Sequence, residues 1–207
     1  MKLLVATTNP NKLREIGQIL GPLGVAVVSL ADVVGTLEEP AEDGATFEEN
    51  ARAKAAFYAR ATGLACLAED SGIEVDALGG APGVYSARYS GVEGPAAARD
   101  AANNAKLLRE LARVGAPNRR ARFVCAACLV DGGGELLTET RGTFEGIIAD
   151  APQGTGGFGY DPLLYLPDVG KTSAELSPEE KNARSHRGAA IRALASWLRA
   201  HRGQWEA

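Results

Sequence analysis

The opening of the chain limits the fold more than any later stretch. Residues 2–7 are short and apolar and read as a strand, which Thr8-Asn9-Pro10-Asn11 interrupts. Asn9 is a good helix N-cap and Pro10 a good first helical residue. Leu13, Ile16, Ile19 and Leu20 recur at helical spacing until Gly21-Pro22 ends the run. Residues 25–30 then read as a second strand. Further on, residues 120–131 and 135–148 read as strands around Gly132-Gly133-Gly134, a hairpin turn. A strand-helix-strand opening combined with a hairpin predicts a mixed sheet flanked by helices, an α/β fold.

Between these segments the sequence predicts more structure. Glu38 to Gly44 is an acidic loop. Thr46-Phe47-Glu48-Glu49 reads as a capping box opening a helix that Gly63 closes. Residues 65–68 read as a short buried strand, with Glu69 and Asp70 at its carboxyl end and Ser71-Gly72 as a turn. Residues 95–114 read as a helix, 150–161 as a glycine-rich loop, and 163–166 as a strand. Ser177-Pro178-Glu179-Glu180 is a second capping box, and helix continues towards His201. No repeat, linker or domain boundary is visible, so residues 1–207 are expected to form a single domain.

Of the 207 residues, 45% are hydrophobic, enough for a real core, and the net charge of -4 argues against a broad nucleic-acid surface. A local cluster of cations can still hold a small anion. No apolar run approaches the ~20 residues that span a bilayer, and the first residues are too short for a secretory signal. Three cysteines without framework spacing fit a reducing compartment. The chain is expected to be cytoplasmic. Cys125 and Cys128 lie at odd spacing within a strand and should point to opposite faces, against a metal or redox pair.

Four segments carry candidate chemistry. Thr7-Thr8-Asn9-Pro10-Asn11-Lys12 places hydroxyl, amide and ammonium groups beside helix N–H groups, a plausible phosphate cradle; an ordinary capped turn with a solvated lysine uses the same residues. Glu42, Glu69 and Asp70 offer hard oxygen ligands suited to Mg²⁺, or are solvated carboxylates. Gly154-Thr155-Gly156-Gly157-Phe158-Gly159-Tyr160-Asp161-Pro162 mimics a dinucleotide fingerprint, but Pro162 and an apolar strand follow it, whereas that fingerprint must open a helix. Phe158 between glycines is instead a stacking platform for a base, or is tucked into the core. On one straight helix Lys181 would lie about 140° from His186 and about 240° from Arg187. Either these are a solvated face, or the helix breaks near Ser185.

Together with Glu42-x-Gly44-x-Thr46-Phe47-x-Glu49-Asn50, Asp70-Ser71-Gly72, the Leu78 to Arg88 string Leu-Gly-Gly-Ala-Pro-Gly-Val-Tyr-Ser-Ala-Arg and Ser185-His186-Arg187-Gly188, these segments resemble the inosine triphosphate pyrophosphatase family, known in bacteria as dITP/XTP pyrophosphatase or Ham1-like NTPase. The resemblance covers essentially the whole chain. It implies an elongated mixed sheet flanked by helices, two lobes with a central cleft, a homodimer, Mg²⁺, and hydrolysis of purine nucleoside triphosphates such as ITP and XTP to monophosphate and pyrophosphate. Carried over by position, Thr7, Thr8, Asn9, Pro10, Asn11 and Lys12 hold phosphate, as do Lys54 and Lys181. Asp70 is the implied base and a metal ligand, and Glu42 is a second metal carboxylate. Ser71 touches substrate. Phe158, Gly159, Tyr160 and Asp161 grip base and sugar, and His186 and Arg187 read the base. Glu69 stands where close bacterial relatives often have Asp.

Overall fold

The computed structural model describes residues 2–33, 40–115 and 117–205. Glu38 and Glu39 of the acidic loop and the side chain of Asn11 lie outside what it describes. Seven strands pair in the order β2-β1-β3-β4-β5-β6-β7. They are β1 (Lys2–Val5), β2 (Ala26–Ser29), β3 (Cys66–Val75), β4 (Arg120–Val130), β5 (Leu136–Ile148), β6 (Leu164–Leu166) and β7 (Lys171–Thr172). The helices are α1 (Pro10–Leu20), α2 (Leu30–Val33), α3 (Phe47–Thr62), α4 (Ala96–Val114), α5 (Pro178–Arg184), α6 (His186–Ala200) and α7 (Arg202–Trp205). β1 runs parallel to β2 and β3, whereas β6 is antiparallel to β5 and β7. The sheet is therefore mixed and open, as the strand-helix-strand opening and the hairpin require. Among the described residues no helix is long and apolar enough to cross a membrane.

The chain divides into two compact units. Met1–Asp70, Cys125–Gly142 and His186–Ala207 form the first; Ser71–Val124 and Thr143–Ser185 form the second. Strand alternation builds the first unit's two cores. Leu3, Val5, Leu67, Cys125, Ala127 and Leu129 face α1 and α6 through Ile16, Leu20, Ile191, Leu194 and Leu198. Leu4, Ala6, Cys66, Ala68, Cys128 and Val130 face α3 through Ala51, Ala55, Tyr58 and Ala59. Cys125 and Cys128 thus enter different cores, as their spacing predicts. The second unit packs Ile73, Val75, Phe123 and Phe144 with Leu107 and Leu111 of α4 and Tyr160 of the glycine-rich loop.

Two readings of the sequence need correction. β3 does not stop at Ala68; it runs through Glu69, Asp70, Ser71 and Gly72 to Val75. Gly72 serves close approach rather than a turn: a Cβ there would meet Ser86 Oγ at 2.4 Å and the Gly83 carbonyl at 2.7 Å. The Thr46 box is also only half formed. Thr46 Oγ1 accepts from the Glu49 N–H at 3.1 Å, but the Glu49 carboxylate accepts from Ala45 N–H, one residue earlier than the motif requires. The Ser177 box is complete.

Of the two alternatives left open for Lys181 to Arg187, a solvated face or a helix break near Ser185, the break is present. α5 ends at Arg184, Ser185 is extended (φ -62°, ψ 142°), and α6 starts at His186. The break separates Lys181, in the second unit, from His186 and Arg187, in the first. Within the first unit Gly142 of β5 lets the start of α6 settle on the strand. A Cβ there would lie 2.1 Å from the His186 carbonyl oxygen and 2.6 Å from the Ala190 nitrogen.

Candidate functional site

The turn between β1 and α1 is held by its own polar groups. The Asn9 N–H donates to Thr7 Oγ1 at 3.1 Å, and the Leu13 N–H to the Asn9 carbonyl at 3.1 Å. The first turn of α1 contains no acidic residue, so no carboxylate there offsets the positive end of the helix dipole. Thr8, Asn9 and Pro10 are exposed and Thr7 half-buried. Lys12, one turn in, reaches a different partner.

That partner is Glu69. Lys12 Nζ lies 2.7 Å from Glu69 Oε1, and Arg187 Nε donates to both carboxylate oxygens at 2.9 and 2.8 Å. Arg187 also reaches Glu15 Oε2 at 3.3 Å, and the Cys125 thiol donates to Glu69 Oε2 at 3.3 Å. Glu69 and Arg187 are both buried. Burial alone would raise the Glu69 pKa, but the charges of Lys12 and Arg187 overcome it and lower the value from 4.5 to about 2. Burial pulls Arg187 down, and Glu69 outweighs it and holds the guanidinium above its ordinary value. Two cations from opposite ends of the chain therefore meet on one carboxylate beside Asp70.

Asp70 is held by a residue that the motif reading quoted without a role. Asn50, buried on α3, donates from Nδ2 to Asp70 Oδ2 at 2.9 Å, while its Oδ1 accepts from the Gly44 N–H at 2.8 Å. One amide thus ties the strand carboxylate to the loop that carries Glu42. Gly44 permits this, because a Cβ there would lie 2.6 Å from Asn50 Oδ1. Glu42 forms an ion pair with buried Lys54, one turn after Asn50 on α3. The signal for Asn50 was its i, i+4 spacing from Lys54, which puts amide and ammonium on one helix face.

The second unit holds the glycine-rich loop. Asp161 is buried and accepts from Phe158 N–H at 2.8 Å, from Ser173 Oγ at 2.8 Å and from Lys181 Nζ. Lys181 Nζ also lies 5.1 Å from the centre of the Phe158 ring, within cation–π range. Phe158 is 62% exposed, so it is a presented ring and not a core residue. Tyr160 is buried, its hydroxyl donating to the Ser86 carbonyl at 2.8 Å, which makes it a structural anchor of the loop. Gly157 (φ 73°) is obligatory on two counts, since a Cβ would also lie 2.1 Å from Asp161 Oδ2. From α4, Asp100 Oδ2 accepts from Gly159 N–H at 2.7 Å and Asn104 Nδ2 donates to the Gly159 carbonyl at 3.0 Å. Neither residue was singled out in the sequence.

The structure thus groups Lys12 and Arg187 on Glu69, with Asp70 next in β3, and places Glu42, Asn50 and Lys54 around the same strand's first half. His186 opens α6, one residue before Arg187. Ser71, Phe158, Gly159, Tyr160, Asp161 and Lys181 belong to the second unit. Among the described residues no cluster of three or more His, Cys, Asp or Glu side chains could hold a metal.

Fold and side-chain arrangement define an open-sheet α/β protein that gathers acidic, amide and cationic side chains about Glu69 and Asp70 of β3. Within that class, residues 3–197 match the Ham1 family, and the chain belongs to it. A dITP/XTP pyrophosphatase of an Exiguobacterium species is 55% identical over 194 residues, 94% of this chain and 95% of that protein. A dITP/XTP pyrophosphatase of Thermus thermophilus is 52% identical over 94% of this chain and 90% of its own length. Among solved structures, a HAM1 protein from Coxiella burnetii superimposes with a TM-score of 0.89 at 38% identity, over 97% of this chain and 99% of that one.

Proposed function

We propose that this protein hydrolyses non-standard purine nucleoside triphosphates, ITP, dITP, XTP and dXTP, to the monophosphate and pyrophosphate, which keeps them out of DNA and RNA. The observation that carries this reading is identity of about half the residues, along nearly the whole chain, with dITP/XTP pyrophosphatases. The polar groups described above support it.

Mg²⁺ suits the acidic groups. Glu42 and Asp70 are hard oxygen donors, and Mg²⁺ takes one or two carboxylates and fills its shell with water and phosphate oxygens. Asp70 Oδ2 accepts from Asn50, and a carboxylate has about four acceptor sites, so that bond and a metal bond are compatible. When bound, Mg²⁺ neutralises triphosphate charge and orients a water.

The chain's own groups do the rest. Asp70, fixed by Asn50, takes the proton of the attacking water. Water oxygen bonds to the α-phosphorus as the bond to the α–β bridging oxygen breaks, and pyrophosphate leaves with that oxygen. Lys12, Lys54 and the start of α1 stabilise its charge. Lys54 stays close to Glu42, and Lys12 to Glu69, so each cation is oriented before a phosphate arrives. Arg187 spends Nε on Glu69 and one terminal nitrogen on Glu15; a guanidinium has five donors, and those remaining, with His186, donate to the six-position oxygen of hypoxanthine or xanthine. Adenine presents an amino donor there and leaves buried donors unpaired, a cost of about 1–3 kcal/mol per group. In the second unit, Phe158 stacks the base and Lys181 binds phosphate. The same reading makes the protein a cytoplasmic homodimer without nucleic-acid or membrane partners.

The test is a side-by-side kinetic comparison of ITP, XTP, dUTP, GTP and ATP with Mg²⁺. ITP and XTP should be preferred over ATP by at least tenfold in kcat/KM. Equal rates on ITP and ATP would point to a standard nucleotide pyrophosphatase instead.

A further inference from the structure

We propose that Asp100 and Asn104 of α4 are specificity-determining positioning residues: together they clamp both backbone groups of Gly159 and so preset the Phe158 ring for a purine. The inference rests on the function proposed above.

The geometry is a two-point grip on one residue. Asp100 Oδ2 accepts from the Gly159 N–H at 2.7 Å, and Asn104 Nδ2 donates to the Gly159 carbonyl at 3.0 Å. At i and i+4 the two side chains stand one above the other on α4, the spacing needed to reach the N–H and C=O of one residue. Gly159 sits at φ 60°, a left-handed conformation open to glycine at little cost. The grip therefore fixes a residue that has no side chain of its own to hold it. On the other side of the ring, the Phe158 N–H is bound by Asp161 Oδ2 at 2.8 Å. The peptide on each side of the Phe158 Cα is thus tied down, while the ring itself stays 62% exposed.

Two observations indicate that the grip is needed. Gly154, Gly157 and Gly159 all have positive φ, so the loop is costly to order and has few side chains of its own to pack. Between the loop and α4 lies a half-open cleft of about 480 Å³, its wall mostly apolar (Ala97, Ala101, Leu108, Pro152 and Phe158 itself) and completed by Asp100 and Asn104. A ring not held outward has an apolar space to fall into. Asn104 is also a poor choice for packing alone. It is buried, and its Oδ1 has no hydrogen-bond partner among the described residues, a cost a leucine would avoid. What the amide contributes in return is its bond to Gly159.

The test uses Asp100→Ala, Asn104→Leu, the double variant and Asp100→Asn, each made in the full chain with Phe158 intact and with Phe158→Ala. With Phe158 present, the double variant should raise KM for ITP about tenfold and narrow the ITP-to-ATP preference, with kcat changed less than threefold. Asp100→Asn, which keeps an acceptor, should stay within about twofold of wild type. In the Phe158→Ala background the clamp substitutions should add no further loss. Amide hydrogen exchange gives a readout without substrate: the Gly159 N–H should exchange at least tenfold faster in Asp100→Ala, and not in Asp100→Asn. Additive losses in the Phe158→Ala background, or a Gly159 amide equally protected in Asp100→Ala, would overturn the proposal. If Asp100→Ala does not fold, Asn104→Leu alone decides by the same KM and additivity criteria. A wild-type protein inert towards ITP would refute the function while leaving the exchange result to judge the clamp.

Discussion

Replacing Glu69 by Gln removes one negative charge from between two cations while keeping the side chain's size. Glu69 is buried and meets Lys12 at 2.7 Å and Arg187 at 2.9 and 2.8 Å. Its pKa falls from 4.5 to about 2 on folding, because the two cations outweigh the opposing effect of burial. Each pH unit of lowering is worth about 1.4 kcal/mol, so ionised Glu69 contributes about 3 kcal/mol at neutral pH. That matches the roughly 3–5 kcal/mol expected when a buried pair loses one partner and leaves the other charge stranded. The sign follows from the folded value lying below the unfolded one. The stability is fully present above pH 4.5 and is lost as pH falls towards 2. Urea denaturation at pH 7 should therefore find Glu69→Gln about 3 kcal/mol less stable than wild type, with the gap closing between pH 4.5 and pH 2. A gap below about 1 kcal/mol at pH 7, or one unchanged between pH 5 and pH 3, would refute the reasoning.

Asn50→Leu should leave the chain folded but about 1–3 kcal/mol less stable, since the Gly44 N–H loses its acceptor, and kcat on ITP should drop at least tenfold because Asp70 loses its orienting donor; steady-state assays and melting curves read the two effects separately. Gly142→Ala should cost at least about 2 kcal/mol in urea denaturation, because its Cβ would strike the backbone of α6 at 2.1 Å. Burial raises the Cys66 and Cys128 thiols to about 12 and holds Cys125 well above its ordinary value. All three should resist a disulfide reagent at pH 8 in the native state and react in denaturant, as counting released chromophore will show.

Local features of the fold were legible in the sequence. Asn9-Pro10, the Gly132-Gly133-Gly134 turn and the Ser177 box each act over a few residues, and the elements they start or end are present. The odd spacing of Cys125 and Cys128 predicted their opposite faces, because strand alternation is a local rule. What failed was Ser71-Gly72, read as a turn. Glycine and serine mark turns on average, but here Gly72 is needed because Ser86 and Gly83 press on the strand, a contact invisible from neighbouring residues. The convergence of Lys12 and Arg187 on Glu69 was equally hidden, since it depends on α1 and α6 packing on one face of the same strands. Asn50 and the Asp100–Asn104 pair escaped notice because buried amides on amphipathic helices look like ordinary polar positions until their partners are known. Ser185 lies between these cases: angular spacing along a helix ruled out a shared face for Lys181 and Arg187 without a break, and the backbone at Ser185 supplies it.

Product analysis with ITP and Mg²⁺, run in parallel on wild type and Asp70→Asn, bears most directly on the chemistry assigned here. Wild type should release inosine monophosphate and pyrophosphate in equal amounts with no orthophosphate, and Asp70→Asn should retain its melting temperature within a few degrees while turnover falls at least a thousandfold. Orthophosphate as the first product, or near-normal turnover by the folded Asp70→Asn variant, would contradict it.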